Sequence, residues 1–242
     1  MEGYGPATYG DRIADVYDSL YKELDTEAAV ATLAELAGEG PVLELAIGTG
    51  RLALPLAARG LEVHGIDASE AMVAKLREKP GGDRIPVTMG DFADVGVTGS
   101  YSLIFVGFNT FFALTTQGDQ LRCFANVAAH LTGGGVFALE AFFPDLGRFD
   151  RGQRPHVAVV EPDRVMIDAA KHDPVEQRVD SSHIIFTNEG TTLHPVSIRY
   201  AFPSELDLMA RLAGLELQNR WGGWRREPFT ADSHRHVSVY GR

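Results

Sequence analysis

The segment VLELAIGTGRLA, residues 42–53, constrains this chain more than any other stretch. It reads as a short apolar strand, a turn carrying Gly48 and Gly50, and a helix whose apolar positions Leu52, Leu54, Leu56 and Ala57 continue past the turn. Glycines there permit turn geometries closed to other residues and leave no Cβ between the backbone and a bound molecule. A strand feeding such a turn just before a helix N-terminus is a common nucleotide-binding arrangement in α/β proteins. The turn alone does not say which nucleotide.

The alternation continues on both sides. Helices are expected over 8–22 and 26–37, with Gly38 ending the second, and over 51–59 after the turn. A second strand spans 61–67, and Ser69 is placed to cap the helix that follows. Strands over 85–89 and 101–107, a helix over 117–131, the turn Gly133–Gly135 and a strand over 136–142 complete the series. Repeated strand-to-helix alternation means a parallel sheet covered on both faces, with right-handed crossovers. After Pro144 the segments 156–161, 164–171, 176–188 and 191–200 read instead as antiparallel strands separated by turn-like pairs. A helix from Pro203 to Gly214 and strands near 215–221 and 236–240 close the chain.

The expected fold is therefore α/β, a Rossmann-like doubly wound sheet of seven strands, mostly parallel with the last antiparallel, carrying an inserted antiparallel β-meander. Residues 1–40 are expected to form a helical lid, 41–145 with 201–242 the core, and 146–200 a cap or dimerisation sheet. Composition excludes more than it asserts. A formal charge of −11 argues against nucleic acid, whose binders draw their affinity from Lys and Arg on phosphates. No run is apolar enough to span a bilayer and the N-terminus lacks the features of a signal peptide, so a cytoplasmic protein is expected. Cys123 has no cysteine partner, and the eight histidines show no metal-ligand spacing, so no metal is expected.

Three carboxylates follow the first three strands: Glu44, Asp67 and Asp91. Ligands of open α/β sheets bind outside the carboxyl ends of the strands, so these acids are expected to line one crevice. Asp67 could accept both hydroxyls of a ribose and Asp91 an exocyclic amine, while Glu44 would repel a pyrophosphate but suit a cation. Together they describe an adenosine bearing a positive charge and no phosphate.

Glu44-x-Ala46-x-Gly48-Thr49-Gly50, then Gly65-Ile66-Asp67-Ala68-Ser69-x-x-Met72, then Gly90-Asp91-Phe92 resemble the class I S-adenosylmethionine-dependent methyltransferases, over residues 40–143. Within that family the chain is most similar to small-molecule enzymes of bacterial secondary metabolism. The resemblance implies S-adenosylmethionine as cofactor, with S-adenosylhomocysteine as product, and a small-molecule acceptor. It places Gly48 and Gly50 under the methionine moiety, Asp67 on the ribose, and Ala68 and Met72 against the adenine. Asp91, after Gly90, would take the adenine amine, the Phe92 amide would face the ring, and Phe108 and Asn109 would border the methyl group. Ala46 replaces the first glycine of the usual pattern, a change expected to be tolerated. Ala113 stands where related amino-sugar N-methyltransferases often carry a histidine.

Tyr9 and Tyr17 could fold over the cofactor, with Arg12 or Arg51 neutralising its carboxylate. The side chains available for the chemistry are Tyr17, Glu140 at the end of the fifth strand, and His234 in the last loop, near Trp224 and Arg225. The aromatic set Phe108, Phe111, Phe112, Phe142, Phe143 and Trp224 is read as an apolar substrate pocket, though buried core would look the same. A homodimer through the inserted sheet is expected. The rival readings are an NAD(P)-dependent oxidoreductase, because GTGRLA also fits Gly-x-Gly-x-x-Ala, and a protein that binds the cofactor without transferring methyl.

Overall fold

A computed structural model describes residues 1–242. Two helices lead the chain, α1 (Thr8–Leu20) and α2 (Thr26–Ala37), followed by β1 (Val42–Leu45), α3 (Ala53–Ala58), β2 (Val63–Asp67), α4 (Glu70–Arg77) and β3 (Val87–Met89). Next come β4 (Tyr101–Val106), α5 (Gln117–His130) and β5 (Leu131–Phe142). The insert is β6 (Gln153–Val160), β7 (Arg164–Asp173), β8 (Arg178–Thr187) and β9 (Gly190–Arg199). The chain ends with α6 (Pro203–Leu212), β10 (Glu216–Trp221) and β11 (Arg235–Gly241).

Seven strands form one sheet in the order β10, β11, β5, β4, β1, β2, β3, and β6 to β9 form a separate antiparallel meander. Only β11 runs against its neighbours, pairing antiparallel with both β5 and β10. The period of two in the strands divides the core. Leu43, Leu45, Ile104, Val106, Phe137 and Leu139 face α5 and α6, whereas Val42, Leu103, Phe105, Val136 and Ala138 face α2 and α3. Parallel strands buried on both faces need continuous apolar runs, and β1 and β4 supply them.

Two details differ from the sequence reading. The fifth strand starts at Leu131, and Gly133–Gly135 form an irregularity inside it, where pairing passes from Tyr101↔Leu131 to Leu103↔Val136. A Cβ at Gly135 would come within 2.8 Å of the Tyr101 carbonyl oxygen, so the strand can close on β4 only with glycine there. The first two helices also part company. α2 sends Ala29, Val30, Leu33 and Ala37 into the core under the sheet, while α1 keeps a small cluster of its own, Ile13 and Ala14 on Met72.

The insert is fastened by Arg199 at the end of β9. Its buried guanidinium donates to Gln120 Oε1 at 2.6 Å, Gln177 Oε1 at 2.7 Å and Glu205 Oε1 at 2.7 Å, joining β9 to α5 and α6. Removing one member of such a buried charged network strands the others. Arg199→Met is expected to destabilise the protein by about 3 kcal/mol, read as a lowered midpoint in urea.

Candidate active site

The sheet delivers three carboxyl groups to one edge because β1, β2 and β3 are parallel neighbours. Glu44 sits in β1, Asp67 ends β2, and Asp91 lies two residues past β3. All three line a single cavity of about 260 Å³.

The turn after β1 is fixed from the side. The Gly48 N–H donates to Asp67 Oδ2 at 2.7 Å, and the Ser69 N–H donates to Asp67 Oδ1 at 2.8 Å. A carboxylate has about four lone-pair sites, so Asp67 can still accept two hydroxyls. Burial raises its carboxyl above the usual range, opposed by the backbone donors of Ser69, Gly48 and Ala68. Gly48 has φ 57°, and a Cβ built on it would meet no protein atom closer than 4.0 Å, so the space above it belongs to the cavity. Ala46 also lines the cavity and has φ 55°, a left-handed conformation that disfavours any side chain. The missing glycine of the turn is thus tolerated at a conformational cost.

Glu44 is the most perturbed acid. It is buried, its Oε2 has no partner, and burial pushes its carboxyl up to about 8 despite the attraction of Arg51. An unpartnered buried carboxyl in a cavity wall fits a cationic ligand group. Arg51 lines the same cavity and donates to Thr26 Oγ1 at 3.2 Å, leaving donors for a carboxylate.

One side of the cavity is walled by α1 and the residues before it. Tyr4, Pro6, Tyr9, Gly10 and Tyr17 wall the cavity. Burial pushes the Tyr17 hydroxyl up to about 12 against the pull of Arg51, and burial also raises Tyr9. α1 is seated by Asp11, which accepts from Ser69 Oγ at 2.6 Å, and by Asp18, which accepts from Thr49 Oγ1 at 2.6 Å and pairs with Lys79 at 2.6 Å. A Cβ at Gly10 would lie 2.5 Å from the Ser69 Cβ, so this close seating requires glycine. Arg12 is exposed on α1 and does not line the cavity.

Of the residues singled out in the sequence, Tyr9, Tyr17, Glu44, Ala46, Gly48, Arg51, Asp67, Ala68, Met72, Asp91, Phe92 and Phe108 share the cavity. Gly50, Gly90, Asn109, Glu140 and His234, like Arg12, do not line it. Gly50, φ 80°, faces α4, where a Cβ would meet Leu76 Cδ1 at 2.4 Å, so it serves packing. Gly90 is exposed and donates its N–H to the Asp67 carbonyl at 2.8 Å. Asn109, φ 64°, gives its N–H to the Glu140 carbonyl at 3.1 Å. Glu140 turns its Oε2 to the Phe108 N–H at 2.7 Å, which makes it a clamp on the loop after β4. His234 is exposed, and its carbonyl accepts from the Phe143 N–H.

The aromatic pocket read from the sequence is mostly core. Phe111 and Phe112 are fully buried against Phe124 and Phe142, and Trp224 packs beneath the sheet. Only Phe108 faces the cavity, at φ 50°, with the Tyr21 ring 4.8 Å from its own. Tyr4, Thr110, Leu114, Thr115 and Asp119 line the cavity without having been singled out. They come from the N-terminal segment, the loop between β4 and α5 and, for Asp119, the first turn of α5, where no periodicity marks a facing residue.

Residues 42–135 match the family described as a methyltransferase domain. Over 245 aligned residues the chain is 27% identical to cypemycin N-terminal methyltransferase of a Streptomyces species, covering 98% of each. The solved structure of the CcbJ methyltransferase from Streptomyces caelestis superposes with a TM-score of 0.91 at 41% identity, over 98% of both chains. S-adenosylmethionine-bound CalS10, an amino pentose methyltransferase from Micromonospora echinaspora, shares the fold at 22% identity and a TM-score of 0.67, over 93% of this chain and 95% of that one.

Glu44 sets a pH dependence. Its folded value, about 8, lies above the ordinary 4.5, so the folded state holds the extra proton. Its contribution to stability is complete below about 4.5 and is lost as pH rises through about 8. The ligand-free protein is expected to lose more stability between pH 6 and 9 than Glu44→Gln, in thermal melts. A cationic ligand that ionises Glu44 would release its proton, seen as a buffer-dependent heat of binding that Glu44→Gln lacks.

Proposed function

The chain belongs to the class I S-adenosylmethionine-dependent methyltransferases, and from that premise we propose that it methylates an amine nitrogen of a small secondary metabolite. The observation that carries the reading is one cavity with Glu44, Asp67 and Asp91 along the strand ends and an aromatic wall opposite. In that reading Asp67 takes the ribose hydroxyls, Asp91 and the Phe92 amide face the adenine, and Ala68 and Met72 pack on the ring. Glu44 receives the methionine ammonium and Arg51 its carboxylate, a bidentate match of the kind guanidinium favours.

Bound S-adenosylmethionine supplies a methyl already activated by its sulfonium. The chain's own work is to hold the acceptor behind that methyl and to exclude water, and positioning of this kind is worth on the order of 7–11 kcal/mol. Residues 4–17 close one side. Phe108 and Tyr17, each with its ring 4.8 Å from that of Tyr21 behind them, give an aromatic surface suited to a nitrogen that becomes cationic as it is alkylated. Glu140 takes part through Phe108, whose strained backbone it anchors, and Tyr17 faces the cavity as a hydroxyl that stays protonated at neutral pH. Nitrogen as acceptor is also supported by the name of the cypemycin enzyme, an N-terminal methyltransferase. The oxidoreductase reading leaves Glu44 and Asp91 without a partner, and the relatives named above are methyltransferases.

Copies of the chain pair, in this proposal, through the outer face of the insert. Register puts Val157, Ile167, Ile184 and Leu193 in one row across all four strands, and Val157 and Leu193 are each more than half exposed. An exposed apolar row of this kind is a face that a second copy of the chain would cover.

Asp67→Ala is expected to weaken S-adenosylhomocysteine binding by more than about 1 kcal/mol through lost charge-assisted hydrogen bonds, measured calorimetrically; unchanged affinity would contradict the assignment. Secondary amines are expected to yield S-adenosylhomocysteine from S-adenosylmethionine where phenols and active methylene compounds do not. Leu193→Asp is expected to shift sedimentation from dimer to monomer without loss of cofactor binding.

A further inference from the structure

The inner face of the insert carries an unusual row. Register aligns His156 on β6, Asp168 on β7, His183 on β8 and His194 on β9 directly across the sheet. His194 is buried and its Nδ1 donates to the Arg12 carbonyl of α1 at 3.0 Å, so the row abuts that helix. Next to it, His183 Nδ1 is hydrogen-bonded to Asp168 Oδ1, and both side chains are about one quarter exposed. Asp168 in turn lies near the end of α1, where its charge adds to burial in raising the Tyr21 hydroxyl. The Tyr21 ring meets Phe108, and Phe108 lines the cofactor cavity. Neither Asp168 nor His183 lines that cavity; the neighbours run from its wall at Phe108, through Tyr21, toward a carboxylate–imidazole pair on the insert.

We propose that His183, oriented by Asp168, is the proton acceptor for an amine bound between the cap sheet and the Tyr21–Phe108 wall. This rests on the amine reading above and adds the group that would free the nitrogen lone pair. A carboxylate on Nδ1 fixes the tautomer and leaves Nε2 with its lone pair, the arrangement a general base requires. An ammonium first donates an N–H to Nε2. Its N–H bond then breaks, the proton passes to Nε2, and the electron pair stays on the nitrogen for alkylation. The imidazolium returns its proton to water once the product has left.

The charged and titratable groups facing the pair are Arg154 and His156 on β6, His194 on β9, and Tyr21 from α1. Arg154 and His156 steady the Asp168 carboxylate, which with its bond to His183 is held below the usual range in spite of partial burial.

The test uses the full chain, labelled with ¹⁵N-histidine and saturated with S-adenosylhomocysteine, and piperidine hydrochloride as the probe amine. Saturation with S-adenosylhomocysteine is measured first, and its failure would strike the cofactor reading rather than this one. Long-range ¹H–¹⁵N spectra should show His183 as the Nδ1–H tautomer, and piperidine should shift its Nε2 signal saturably while His130 stays unmoved. His183→Gln should weaken piperidine binding about tenfold, the size of one hydrogen bond to a charged group, with unchanged S-adenosylhomocysteine affinity. Asp168→Asn, which keeps the shape of the pair, should lose the single tautomer and part of the same affinity. A His183 signal indifferent to piperidine, whether the probe binds elsewhere or not at all, overturns the proposal. So does equal piperidine affinity in wild type and His183→Gln.

Discussion

The bond from the Gly48 N–H to Asp67 Oδ2 is the constraint on which the site depends. It joins the turn after β1 to the end of β2, and the second oxygen of the same carboxylate caps the turn into α4 through the Ser69 N–H. One side chain thus sets the relative position of two adjacent strand ends. Helix α1 is referenced to the same point, because its Asp11 accepts from the Ser69 hydroxyl that also caps α4 through the Met72 N–H. Floor, turn and cover all meet within three residues of sequence, Asp67 to Ser69.

Around that point the protein stores several unfavourable conformations. Ala46, Phe108 and Asn109 hold positive φ without being glycine, and Glu44 is buried with an unpartnered oxygen. Such features persist where the surrounding structure over-determines them, and they gather at functional sites. Here the over-determination is visible: β1 and β4 are central strands, and Glu140 of β5 anchors the Phe108–Asn109 turn through both its carboxylate and its carbonyl. The rigid sheet carries the strain, while α1, with its three-residue apolar cluster and polar latches to Ser69, Thr49, Lys75 and Lys79, is the less firmly held element.

Much of this was legible in the sequence, for physical reasons. Parallel strands announce themselves as apolar runs ending in Gly, Asp or Ser, and the rule that ligands sit at their carboxyl ends brought Glu44, Asp67 and Asp91 together before any coordinates. Residues whose role depends on direction were not legible. Gly50 and Gly48 look alike in the sequence, yet one meets Leu76 and the other meets open space. Phe111 and Phe112 sit beside Phe108 and point into the core. Glu140 carries a carboxylate at the correct edge, but its hydrogen bond is decided by the backbone of the loop after β4. The pair of Asp168 and His183, fifteen residues apart, exists only through strand register, which no local pattern specifies.

The most direct measurement of the central claim is a crystal structure of the complex with S-adenosylhomocysteine. The ribose hydroxyls are expected on Asp67, the adenine amine toward Asp91, and the ammonium and carboxylate of the methionine end between Glu44 and Arg51, with α1 closed over them. A ligand bound away from this cavity, or one in which Glu44, Asp67 and Asp91 touch no common molecule, would contradict it.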